Sequence, residues 1–233
     1  MRERDVIIAL DVPDRHAALA FLDLFPEEKP YVKVGMELYY AEGPELVREI
    51  RGRGHKVFLD LKLHDIPNTV ASALRGISRL GVDLVNLHAA GGLKMMRAAK
   101  DALGDGPGAT RLIAVTILTS LNQAALHDEL LITRPLQDTV LHYAGLAKEA
   151  GLAGVVCSPQ EAGLVHARLG EDFLTVTPGV RFAGGDLGDQ QRVNTPEQAR
   201  QLGADLIVVG RPITRADNPL EAYRRCLHEF AHR

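Results

Sequence analysis

Eight short apolar runs rich in β-branched residues, evenly spaced and separated by amphipathic stretches, constrain this chain more than anything else in it. They are "VIIAL", "YVKVG", "VFLDL", "LVNLH", "LIAVTIL", "GVVCS", "LTVTPG" and "LIVVG". Runs of this length and composition read as strands. Between them lie amphipathic stretches with the helical period, for example "DRHAALAFLDLF", "GPELVREIRGRG", "NTVASALRGISRL", "DTVLHYAGLAKEAG", "PQEAGLVHARLG" and "PEQARQLG". Ser158-Pro159 with Glu161, and Thr195-Pro196 with Gln198, each combine an N-cap hydroxyl, a Pro at N1 and a capping-box partner, so both predict helix starts. Gly54, Gly81, Gly151 and Gly203 follow helical runs and are expected to end them. Alternation of strand and helix implies a parallel sheet, and near-continuous apolar strands imply one covered on both faces. Eight such units in 233 residues predict one (β/α)8 TIM barrel, a single catalytic domain spanning residues 1–233. An open doubly wound sheet is the alternative. It fits less well, because no G-x-G-x-x-G follows the first strand and eight comparable units close more naturally than they spread.

At 46% hydrophobic residues the chain can enclose a sizeable core. With 27 basic against 30 acidic residues the net charge is −3, and no block of like charge suggests a nucleic-acid arm or a membrane-binding face. A small soluble ligand is the expected partner. Cys157 and Cys226 lie far apart, and Cys157 sits inside an apolar run, so neither a disulfide framework nor a thiolate metal site is indicated. The opening "MRERDVIIALDV" is too brief for a signal sequence and no later run approaches a membrane span, so a reducing cytoplasm is the expected location. The longest stretches expected to be irregular are "LTSLNQAALHDELLITRPLQ" and "RFAGGDLGDQQ", and long loops in compact domains usually serve function.

Barrel active sites form at the C-terminal ends of the strands, and polar residues collect there. Strand one ends in Asp11, strand two carries Lys33, strand three carries Asp60, Lys62 and then Asp65, and strand four ends in His88. Thr119 and Ser120 end strand five, Pro178, Gly179 and Arg181 follow strand seven, and Gly210 and Arg211 follow strand eight. Asp60 and Lys62 are two apart, so both side chains leave the inward face. Lys33 has apolar neighbours on either side, and an unpaired ammonium there would be costly anywhere but the barrel mouth. Lys33, Asp60, Lys62 and Asp65 are therefore expected to form a row of alternating charge. Such a row serves either as a structural ion-pair network closing the barrel or as catalytic machinery; its place at the ligand-binding end favours the second. His64 is explained as well by solvent or helix packing, and His88 by a hydrogen-bonded place at the barrel end.

Barrels often bind phosphate with the loops after strands seven and eight. Gly179 and Gly210 let backbone N–H groups approach an oxyanion, and Arg181 and Arg211 offer guanidinium forks. Between them the glycine-rich "FAGGDLGDQQ" reads as a lid, with Gln190 able to donate a hydrogen bond. An ordinary surface loop is the competing reading. Walker A, H-E-x-x-H, G-x-S-x-G and zinc-spaced Cys and His sets do not occur.

The stretch "DLKLHDIPNTV", with "ALDVP", "VKVGMEL", "HAAGG", "AVTILTS", "TPGVR" and "VVGRPI" in that order, resembles the bacterial-type orotidine 5′-phosphate decarboxylase family across essentially the whole chain. The resemblance implies a homodimeric barrel, without cofactor or metal, that converts orotidine 5′-phosphate to UMP and carbon dioxide in pyrimidine synthesis. It implies Lys62 as the acid delivering a proton to C6, Asp60 beside the departing carboxylate, Lys33 holding Asp60 and a ribose hydroxyl, and Asp11 on the ribose. Asp65 and Thr69 would reach into the partner subunit's site. Thr119 or Ser120 would contact the pyrimidine, with Pro178 nearby, while Arg181, Gln190, Gly210 and Arg211 would hold the phosphate. Three rivals remain: a magnesium-dependent barrel that decarboxylates a β-keto sugar-acid phosphate, a Schiff-base aldolase with Lys62 as nucleophile, and a nucleotide-binding barrel without catalysis. Lys33 and Lys62 would repel a divalent cation, and flanking carboxylates would hold Lys62 protonated rather than nucleophilic.

Overall fold

The structure, a computed structural model, describes residues 4–106, 108–182 and 194–232. In chain order the elements are β1 (Asp5–Ala9), α1 (Arg15–Leu22), β2 (Tyr31–Gly35), α2 (Met36–Gly52), β3 (Val57–Leu63), α3 (Pro67–Ser78), β4 (Leu84–His88), α4 (Gly92–Leu103) and β5 (Arg111–Val115). There follow α5 (Gln123–Asp128), α6 (Leu136–Glu149), β6 (Gly154–Val156), α7 (Pro159–Leu169), β7 (Leu174–Thr177), α8 (Pro196–Gln201), β8 (Leu206–Val209), α9 (Arg211–Thr214) and α10 (Pro219–Ala231). The strands are parallel and close into a barrel in sequence order. Ile7 pairs with Tyr31 of β2 on one side and Val208 of β8 on the other, which removes the open-sheet alternative.

Strand alternation builds two cores. Val6, Ile8, Val32, Val34, Leu59, Ile207 and Val209 point outward against the helices. Ile7, Tyr31, Phe58, Leu84, Ile113, Leu174 and Leu206 point inward and fill the barrel. The next inward positions, two residues on, include Lys33, Asp60 and Asn86, so the filling changes from apolar to polar as the strands rise. β6 and β7 approach closely: a Cβ on Gly154 would stand 2.1 Å from the Leu174 carbonyl oxygen.

Both predicted capping boxes are present, at Ser158 and Thr195, and the four helix-ending glycines all take positive φ. Two stretches differ from expectation. α2 kinks at Gly43 (φ 70°), so the sequence pattern found only its second half and missed the short helix standing directly on β2. The expected irregular stretch after β5 contains α5, because the Asn122 side chain caps it by accepting from the Ala125 N–H at 2.9 Å. Both cysteines are free and buried. Among the described residues no helix is long and apolar enough to cross a membrane.

Candidate active site

Up to Leu59, β3 pairs regularly with β4. Leu59 faces Val85 but the next pair is Leu63 with Leu87, so β3 carries two extra residues against its neighbour. A bulge of this kind leaves backbone groups without ladder partners and bends the strand. Lys62 lies inside it with φ at 52°, left-handed backbone that costs a non-glycine residue about 1–2 kcal/mol. Its N–H donates to Oδ1 of Asn86 at 2.8 Å, a side chain standing in for the missing strand acceptor. Asp60 and Lys62 still share the inward face, and both line the same cavity.

The charges form one chain. The Lys33 ammonium donates to Oδ1 of Asp11 at 3.0 Å and stands 3.6 Å from Oδ2 of Asp60. The Lys62 ammonium donates to Oδ1 of Asp60 at 2.7 Å, and the same oxygen accepts from Nδ2 of Asn86 at 2.7 Å. Burial would raise the pKa of Asp60, but the Lys33 and Lys62 ammoniums, with hydrogen bonds from Lys62 and Asn86, outweigh it and hold the carboxyl below its ordinary range. Space for the Lys33 amine is secured by Gly35, where a Cβ would stand 3.0 Å from Nζ.

The expected row is corrected at one end. Asp65 does not flank Lys62 within its own chain: it is exposed, and its carboxylate accepts the N–H of Ile66 at 2.6 Å. The turn after β3 carries it past the barrel rim, and Asp11 supplies the fourth charge instead. Thr69, on the first turn of α3, is exposed as well, and Ile66 is 67% exposed. His64 stacks near His88 with ring centroids 5.6 Å apart. Burial, His64 and Lys62 push His88 below the usual imidazole range, against an opposing pull from Asp60.

Two adjoining hollows open over these charges. The inner one, about 230 Å³, is lined by the polar Lys33, Asp60, Lys62 and Asn86 and by the apolar Phe58, Val115, Ile117, Leu118, Val156 and Val176. Thr119, which is buried, and Ser120, which is exposed, edge it together with Pro178. The outer one, about 510 Å³, shares Lys33, Pro178 and Val208 with the first and adds Asp11, Gly179, Arg181, Gly210 and Arg211. The structure thus brings together every site residue predicted on strands one, two, three, five, seven and eight except Asp65, which stands apart; Thr69, on α3, does too. Gln190 and most of the expected lid lie outside the described residues. Sequence reasoning missed Asn86, Glu37, Thr214 and Arg215, all of which line these hollows. Asn86 had a signal, an amide two residues after Leu84 on the inward face of an apolar strand; the other three depend on helix placement.

The inner hollow can hold a flat ring against an apolar wall with an ammonium at its edge, and the outer one can hold an anion between guanidiniums. Residues 4–226 match the family model described as "Orotidine 5′-phosphate decarboxylase / HUMPS family". The chain belongs to this family. It is 56% identical over 228 residues to the orotidine 5′-phosphate decarboxylase of Geobacillus thermodenitrificans, covering 96% of this chain and 95% of that one. It is 55% identical over 231 residues to the enzyme of that name from Streptococcus mutans, with 99% of each chain covered. Among solved structures, the orotidine 5′-phosphate decarboxylase of Lactobacillus acidophilus superposes with a TM-score of 0.87 at 40% identity, over 98% of this chain and 99% of that one. The Pyrococcus horikoshii enzyme keeps the family fold at 26% identity, with a TM-score of 0.77 over 97% of this chain and 99% of that one.

Proposed function

We propose that this chain decarboxylates orotidine 5′-phosphate to UMP and carbon dioxide, a step of pyrimidine synthesis, with Lys62 delivering the proton and no cofactor. The observation that carries this reading is the two-part cleft, with an ammonium held 2.7 Å from a buried carboxylate at its closed end and two guanidiniums at its open end. In the proposed reaction the bond from C6 to the carboxylate breaks and leaves its electron pair on C6, in the ring plane, where the π-system cannot spread it. The Lys62 ammonium stabilises that charge and then gives C6 a proton, and the resulting amine is reprotonated from water. Asp60, itself fixed between Lys33 and Asn86, aims the ammonium.

The substrate's ring would rest on the Phe58, Val115 and Ile117 wall, with the Thr119 and Ser120 hydroxyls and Pro178 at its edge. Asp11 and Lys33 would take ribose hydroxyls. Arg181, Gly210 and Arg211 would hold the phosphate, and Gln190 joins them on sequence alone. Remote phosphate binding then supplies energy that orients the reacting carbon. A second copy of the chain would present Asp65 and Thr69 to this site, which suits a carboxylate and hydroxyl exposed beside a largely bare Ile66. The two buried free cysteines suit a reducing cytoplasm.

The Lys33 ammonium lies between Asp11 and Asp60, where a divalent cation would need those oxygens. Loss of orotidine 5′-phosphate absorbance on adding purified protein, undiminished by EDTA, is the expected result. Activity abolished by the chelator and restored by magnesium would return the magnesium-dependent rival. Tight UMP binding with no absorbance change would leave a binding protein. Mixing two inactive variants, Lys62→Ala and Asp65→Ala, should restore turnover, because each hybrid dimer would hold one intact site; no recovery would remove the shared-site reading.

A further inference from the structure

We infer that Asn86 is a positioning residue for the reaction: one amide holds both the Asp60 carboxylate and the backbone of Lys62, and so sets the distance between the catalytic pair. This rests on the function proposed above. The Lys62 N–H is only a donor, so the atom facing it at 2.8 Å must be the amide oxygen, and Nδ2 is then left to face Asp60 at 2.7 Å. Neither contact survives a flip of the amide. Asn86 is 1% exposed and lines the inner hollow, so water does not readily replace either bond.

The arrangement solves a problem set by the bulge. Lys62 sits in left-handed backbone with its N–H off the strand ladder, a conformation that persists only where surrounding contacts enforce it. Asn86 supplies that contact. It also acts when the ammonium moves. Oδ1 of Asp60 accepts from both Lys62 and Asn86; when Lys62 turns its proton toward substrate, the amide still fixes that oxygen and still favours the ionised carboxylate.

The test compares Asn86→Ala, which removes both bonds, with Asn86→Asp, which keeps an acceptor for the Lys62 N–H but sets a second carboxyl against Asp60. Asn86→Ala should lower kcat about 100-fold, the scale of a displacement of roughly 1 Å at a reacting group, with KM and UMP affinity within about threefold. Asn86→Asp should move the acid limb of the kcat profile upward by about one pH unit or more, because two neighbouring carboxyls resist joint ionisation. A merely structural amide would lower the melting temperature of both variants while leaving kcat per folded molecule and the acid limb in place, and that result overturns the assignment. If Asn86→Ala does not fold, the acid limb of Asn86→Asp decides. An inactive parent would count against the proposed function instead, and a crystal structure of Asn86→Ala would then decide the positioning: Lys62 relaxing from left-handed backbone supports it, an unmoved Lys62 and Asp60 refute it.

Discussion

The barrel carries polar networks centred on aspartates at both ends, directed differently. At the N-terminal rim, Oδ2 of Asp205 accepts the N–H of Thr175 at 2.8 Å and its hydroxyl at 2.9 Å, with Nε2 of His166 at 3.1 Å. Oδ2 of Asp83 likewise accepts the N–H of Val57 at 2.8 Å and Nη1 of Arg51 at 2.7 Å. These carboxylates tie down the first residues of strands and are satisfied by the fold itself. At the C-terminal rim, Asp11, Lys33, Asp60 and Lys62 bind mainly one another, and their free side faces a hollow. A carboxylate that accepts the backbone N–H of a strand stabilises the fold; a charge partnered mainly by other charges, with an open side, is available for chemistry. In this barrel the two roles fall at opposite ends.

Substitutions at the two rims should therefore separate activity from stability. Lys62→Ala is expected to lower kcat by about 10⁴-fold or more, the combined scale of lost proton transfer and charge stabilisation. Its unfolding free energy should stay within about 1 kcal/mol of the parent, since Lys33 and Asn86 still serve Asp60. Stopped assays together with urea unfolding would measure both. Asp205→Ala should do the reverse. It strands a buried N–H and an imidazole, costing about 3 kcal/mol and lowering the melting temperature by about 6–12 °C for a chain of this size, with kcat per folded molecule unchanged. If Asp205→Ala lost activity while keeping its melting temperature, the division between rims would be wrong. Arg211→Ala tests the outer hollow: loss of a charge-assisted pair to phosphate, about 2 kcal/mol, should lower kcat/KM about 30-fold, chiefly through KM.

The C-terminal side of this contrast was legible in the sequence, whereas nothing in the strand pattern marked Asp83 or Asp205. The period of the strands put Asp60 and Lys62 on the inward face, and the cost of an unpaired ammonium put Lys33 at the mouth, where the structure has all three. What could not be read there involves backbone departures from the ideal pattern. Alternation put Lys62 on the correct face, yet gave no hint of its left-handed backbone or of the two extra residues in β3. Nearness to Lys62 in the sequence put Asp65 in the row, but β3 ends at Leu63 and the Asp65 carboxylate accepts the N–H of Ile66 instead. Glu37, Thr214 and Arg215 reach the outer hollow through two short helices, one ended by a glycine kink and one only four residues long, too brief for a periodic signal.

The smallest expected effect concerns acid, and it belongs to the C-terminal rim. His88 has a folded pKa below its unfolded value, first through burial and then through His64 and Lys62. As pH falls, the unfolded chain takes up that proton first. The stability His88 contributes is therefore complete above an unfolded pKa of about 6.5 and declines as pH drops below it. Asp60, also lowered, behaves differently in range: its contribution is complete above about 3.9 and is lost only as pH falls through its depressed folded value. Between pH 7.5 and 5.5, then, only the imidazole of this pair should act. His88→Asn should flatten the fall in melting temperature across that interval relative to the parent, by a few degrees at most, while leaving the steeper loss below pH 4 in place. A variant whose melting temperature tracks the parent through both intervals would show that the rim's acid sensitivity lies in some group other than His88.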